Sequence, residues 1–309
     1  MASPRGLATL CLSSVIPSSG GSSRDAVHDE PVDVHRNQPL DGIVVLGTRL
    51  RASQAGSRVD RPSGLIVQAL RSYWTTSRAP RYSITFALPL LILYEALAAT
   101  LSRFAGEQMR NGADVMLRSL FVAVAGRRGP LLFVLCVIGV CIWLIARDLR
   151  RGGKLQARVF AWMSAEVVLL ALVFGLVIGT VTAKLLAPLG TLAIGGQPQM
   201  GVGARLMLSL GAGLYEELLF RVLLVSGLLL LARRVLAWGP TLANTFAVVV
   251  GALIFSGFHY VGAYGDPFRV DSFVFRTLAG VAFSALYVFR GFGITAWTHA
   301  LYDVLVLIF

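Results

Sequence analysis

The chain has 309 residues, a formal net charge of +12, 56% hydrophobic residues and a mean hydropathy of +0.71. That apolar content excludes an ordinary soluble domain and fits a polytopic helical membrane protein. Lys154 and Lys184 are the only lysines, and the arginines are dispersed along the loops between apolar runs, so the charge reads as topological and lipid-facing rather than nucleic-acid binding.

Residues 1–62 are rich in Ser, Gly, Pro, Arg and Asp with little periodicity, and they read as a disordered tail. Leu7 to Ile16 is too short and too interrupted for a spanning helix, and it makes a poor signal peptide. His28 and His35 in this tail read as solvated. In residues 63–81, Leu65, Ile66, Ala69, Leu70, Tyr73 and Trp74 recur beside Arg71, Arg78 and Arg81, which predicts a short amphipathic helix on the membrane surface.

A first span is predicted over 82–101, with Glu95 read as a carboxylate bonded to a neighbouring helix or, as the alternative, as a support to a functional site. The stretch 113–125 is apolar but short and carries Arg118, so it is expected as a re-entrant or interfacial helix. Further spans are predicted over 130–146 and 159–186. Cys136 and Cys141 in the former read as small packing residues, and with Cys11 they make no disulfide framework. Glu166 in the latter reads as structural. Between these spans lie Arg147, Arg150, Arg151, Lys154 and Arg158, the strongest cytoplasmic loop. A Gly/Pro-rich break then runs to about Gly203, and four more spans follow over 204–231, 240–260, 272–289 and 292–309. The expectation is an all-α bundle of seven or eight spans, with N-terminal transmembrane helices over 82–203 and a transmembrane core over 204–309. Alternating crossings from a cytoplasmic N-terminus leave Arg103, Arg110, Arg118, Arg127 and Arg128 outside, against the positive-inside rule.

The chemistry concentrates in the later spans. Glu216, Glu217 and Arg221 sit within an apolar run, where a charge near the bilayer centre costs about 2.5–3.5 kcal/mol on insertion scales. On a helix, Glu217 and Arg221 share a face at i and i+4, while Glu216 is turned about 100° away and needs another partner. His259 closes the fifth predicted span, and His299 and Asp303 stand at i and i+4 in the seventh. Such groups face the bundle interior and each other, so the three polar faces should converge. A carboxylate with two imidazoles in a dry cavity suits a water-activating hydrolase: the carboxylate takes a proton, one imidazole holds the water, and the other donates to an oxyanion. Ser209 and Ser256 lack a base at suitable spacing. Three other readings stay open: a zinc site of Glu216, His259, His299 and Asp303, ion passage, and a charge-paired interior without chemistry.

Glu216-Glu217-x-x-x-Arg221, Phe255-x-x-x-His259 and His299-x-x-x-Asp303 resemble, in order and placement, the motifs of the CPBP (CAAX protease and bacteriocin-processing) intramembrane endopeptidases. That family includes the type II CAAX prenyl endopeptidases and bacteriocin-processing or self-immunity proteins. The resemblance covers about residues 204–309. It implies a helical glutamate protease that forms no covalent intermediate and acts on a peptide or membrane protein within the bilayer. Glu216 and His259 would activate water, His299 and Asp303 would line the oxyanion side, and Glu217 with Arg221 would shape the site. Some members carry Asn where Asp303 stands; an ionised Asp cannot donate, so Asp303 is either protonated or orients His299. No cofactor is expected, with a divalent metal as the alternative, and no nucleic-acid partner. A non-proteolytic immunity or scaffold protein of the same fold is the other alternative. The Arg-rich, Lys-poor composition points to a GC-rich genome, and a bacterial inner membrane is the expected location.

Overall fold

The computed structural model describes residues 62–105, 109–189, 200–262 and 265–308. The expected tail up to residue 61, with Cys11, His28 and His35, and the glycine-rich break at 190–199 lie outside the described residues. The described elements are all helical. In chain order they are α1 (Pro62–Ser77), α2 (Pro80–Ala105), α3 (Gly112–Ala125), α4 (Gly129–Arg150), α5 (Ala157–Leu186), α6 (Val202–Gly211), a π-helix (Ala212–Val225), α7 (Ser226–Arg234), α8 (Pro240–Phe258), α9 (Val270–Arg290) and α10 (Phe292–Ile308).

In a medium without water the backbone must bond to itself, so apolar runs of this length become helices. Their ends follow the local chemistry. The Asn111 side chain caps α3 by accepting from the Ala113 N–H, and proline occupies the first turns of α4 and α8. Gly291, at φ 78°, ends α9 and lets α10 start at once.

Among the described residues, five helical stretches are long and apolar enough to cross a membrane: Pro80–Arg103, Gly112–Arg150, Ala157–Leu186, Pro240–Phe258 and Val270–Arg290. Two expected spans fall outside this set. α10 has 17 residues, and the unbroken rod of α6, π-helix and α7 carries Glu216, Glu217 and Arg221. Large apolar side chains are exposed along the outer faces, including Leu131, Leu135, Ile138 and Ile142 on α4 and Leu169, Leu172 and Leu176 on α5. In water this would be costly; against lipid it is the matching surface.

The centre is built by small residues. α10 packs against α2, α5, α6, the π-helix and α9, and its Ala296 and Ala300 are fully buried. A Cβ at Gly213 would lie 2.6 Å from the Ala300 Cβ, so the π-helix and α10 are as close as backbones without side chains allow.

At one end of the bundle, Glu166 of α5 accepts from Arg290 Nε and Nη2 at 2.6 Å each, and from the Tyr73 hydroxyl at 2.5 Å. The Arg290 guanidinium also lies over the Tyr73 and Trp74 rings, at 5.2 and 4.9 Å. These bonds fasten amphipathic α1 to α5 and α9. Burial, with Glu166 beside it, pushes the Tyr73 hydroxyl well up from its ordinary value, so it stays a donor.

Candidate active site

Glu216, Glu217 and Arg221 do not lie on an α-helix, as their spacing had suggested, but on the π-helix. Its i→i+5 bonding is rare and recurs at functional sites. The wider turn still lets Glu217 and Arg221 meet, with Arg221 Nη1 3.0 Å from Glu217 Oε1. Both are fully buried. The guanidinium lies 4.3 Å from the Phe255 ring centroid and 5.5 Å from that of Phe283, so aromatic faces replace part of the lost hydration. The same Glu217 oxygen accepts from His299 Nδ1 at 2.7 Å; an ionised carboxylate only accepts, so Nδ1 carries a proton. Phe283 stacks on the His299 ring at 4.3 Å, and Phe174 stacks on Phe283 at 4.0 Å.

A second layer sits nearer the surface. Glu216 Oε2 is 4.0 Å from His259 Nε2, with the two side chains 12% and 22% exposed. His259 Nδ1 lies 2.9 Å from the Phe255 carbonyl oxygen. A carbonyl cannot donate, so Nδ1 carries a proton, and Nε2 is the nitrogen that faces Glu216. Asp303 Oδ2 is 3.6 Å from His299 Nε2 and its side chain is 29% exposed. The six residues singled out in the sequence are thus brought together: Glu216, Glu217 and Arg221 on the π-helix, His259 just past α8, and His299 and Asp303 on α10. The serines are engaged elsewhere. Ser256 donates to the Phe273 carbonyl at 2.8 Å and Ser209 to the Arg205 carbonyl at 3.0 Å.

One participant was not foreseen. Asn111 Nδ2 donates to Glu216 Oε1 at 2.9 Å, while Oδ1 of the same amide takes the Ala113 N–H at 2.8 Å. The only local signal is that of an ordinary helix cap, an Asn ahead of Gly-Ala-Asp. The Tyr94 hydroxyl holds the Asn111 backbone, accepting its N–H at 3.1 Å and donating to Asp114 Oδ2 at 2.9 Å. Gly211 admits both groups: a Cβ there would lie 2.6 Å from Tyr94 Cε2 and 2.7 Å from the Asn111 Cβ.

Beside this bridge lies a charge cluster. Arg110 reaches Glu95 at 3.2 Å and Asp114 at 2.8 Å, Arg118 reaches Glu95 at 2.7 Å and Asp114 at 2.5 Å, and the Tyr215 hydroxyl donates to Glu95 at 3.0 Å. Arg110, in the loop before α3, and Arg118, on α3, are paired with carboxylates on α2 and α3. The same holds widely. Among the described residues, every Asp and Glu lies within 4.0 Å of an arginine nitrogen except Glu216 and Asp303, which face histidines.

A metal is a poor fit to the arrangement. Among the described residues no three His, Cys, Asp or Glu side chains stand as a ligand set.

The fold and the site define a helical membrane protein with a paired carboxylate–imidazole centre. Residues 198–305 match the family model described as type II CAAX prenyl endopeptidase Rce1-like. This is a protease family, and it is the one the three sequence motifs resemble. The matched stretch includes all six motif residues and leaves out α2, α3 and Asn111. No curated protein and no solved structure matches the chain.

Proposed function

We propose that the protein is a multi-pass intramembrane endopeptidase, set in a bacterial inner membrane, that hydrolyses a peptide bond of a peptide or membrane-protein substrate without a metal or a covalent intermediate. The observation that carries this reading is the pair of acceptors, Glu216 Oε2 and His259 Nε2, 4.0 Å apart and partly exposed. One water molecule, bonded to each at about 2.8 Å, spans such a gap, and both of its hydrogens find acceptors.

In the mechanism, Glu216 takes a proton from that water as its oxygen bonds to the scissile carbonyl carbon, while His259 holds the second hydrogen. The carbonyl oxygen becomes an oxyanion. His299, tied through Nδ1 to Glu217, presents Nε2 to the cleft, and with a proton there it donates to the oxyanion. Collapse breaks the C–N bond, and Glu216 returns its proton to the leaving amine. Asp303 stands too far from Nε2 for a direct hydrogen bond and orients His299 electrostatically. Glu217 cannot serve as the base, because Arg221 and His299 share its charge.

The test is hydrolysis of peptide libraries, with and without prenyl groups, by the full chain in proteoliposomes in oxygen-18 water. The wild type should place one heavy oxygen in the new carboxyl terminus. Glu216→Gln, His259→Ala and His299→Ala should each lose about 10²–10⁴-fold in turnover. Wild-type turnover in Glu216→Gln would end this assignment.

A further inference from the structure

We propose that Asn111 is a positioning residue for Glu216, supplied from outside the stretch that matches the family. This rests on the proposed function. Two adjacent glutamates share the π-helix, and their donors differ in kind. Glu217 is held by a guanidinium and an imidazole. Glu216 Oε1 is held at 2.9 Å by a neutral amide. A neutral donor fixes the direction of a carboxylate without cancelling its charge, which is what a base in a low-dielectric site needs. With Oε1 occupied, Oε2 is the oxygen left facing His259.

The amide orientation is determined from both sides. Its oxygen must take the Ala113 N–H, so its nitrogen must face the carboxylate. The Asn111 backbone is held independently by the Tyr94 hydroxyl, and Tyr94 is in turn bonded to Asp114. The side chain thus has no freedom to drift, and neither has the carboxylate that it holds.

Asn111→Asp separates the two roles of this residue. It keeps the cap oxygen for Ala113 and sets a carboxylate against Glu216 in place of the donor. Asn111→Ala loses both. In the peptide assay, Asn111→Asp should lower kcat about 100-fold with KM within threefold of wild type, because a base displaced by about 1 Å costs that much. A readout free of substrate accompanies it: the thermal midpoints of Asn111→Ala, Glu216→Ala and the double variant, measured on the full chain in detergent. The proposal expects the two changes to be non-additive. Wild-type kcat in Asn111→Asp, or additive midpoints, overturns it. If Glu216→Gln abolishes hydrolysis while Asn111→Asp does not, this inference alone falls; if Glu216→Gln is fully active, the proposed function falls first.

Discussion

Gly213→Ala tests the central packing with one carbon atom. The added Cβ would lie 2.6 Å from the Ala300 Cβ and 2.7 Å from the Ala300 backbone nitrogen. Ordinary van der Waals contact begins near 3.4 Å, so the π-helix and α10 must separate by about 1 Å. Neither obstacle is the end of a flexible side chain. Overpacking of this kind costs about 1–3 kcal/mol, against about 1 kcal/mol gained by replacing a helical glycine; with backbone and a packed Cβ as obstacles the upper part of that range applies, which leaves a net loss of up to about 2 kcal/mol. Ala300 follows His299 directly, so the displacement stretches the 2.7 Å bond to Glu217. A shift of 1 Å in a reacting group costs about 100-fold in rate. Gly227→Ala is the internal control, since nothing lies within 4 Å of a Cβ there. Thermal unfolding in detergent should place Gly213→Ala a few degrees below wild type and Gly227→Ala at or above it, with peptide turnover falling only in the former. Wild-type stability and turnover in Gly213→Ala would refute the close approach; lost stability with full turnover would refute its link to His299.

Other expectations follow from the ion pairs. Arg221→Met strands the Glu217 charge beside His299 and should cost about 3–5 kcal/mol by thermal unfolding, part of it recovered in Arg221→Met with Glu217→Gln. Glu166→Gln removes the charged partner of Arg290 but at a site 20% exposed; the cost should be nearer 2 kcal/mol, with turnover per folded molecule unchanged. Prolonged chelator treatment should leave hydrolysis intact. Activity lost to the chelator and restored by zinc would replace the water–glutamate mechanism with a metal-based one.

Hydropathy alone delimited most of this bundle. The expected stretches 130–146, 159–186 and 272–289 correspond to Gly129–Arg150, Ala157–Leu186 and Val270–Arg290, because a bilayer leaves the backbone few options. The motif residues were legible for a related reason: an unpaired charge in apolar surroundings is so unfavourable that Glu216, His259 and His299 had to find company. The π-turn was not legible, since it changes hydrogen-bond register without changing residue types. Asn111 was not legible either. A capping asparagine looks the same at every helix start, and its link to Glu216 is set by how α3 docks against the π-helix, with Asn111 seated at Gly211. The pairing of Arg110 and Arg118 with Glu95 was not legible, because that partner lies on another helix.

The pairing of acids with arginines has a consequence for protons. A carboxylate locked to a guanidinium has its acceptor sites taken up, so it is poorly placed to take a proton from a bound water. Asp114, Asp148, Glu95, Glu166 and Glu217 are held in this way. Among the described residues Glu216 and Asp303 face imidazoles instead, and an imidazole can yield or accept a proton at little cost. Among the described acids, the two that lack a guanidinium are thus the two set beside the imidazoles of the candidate site.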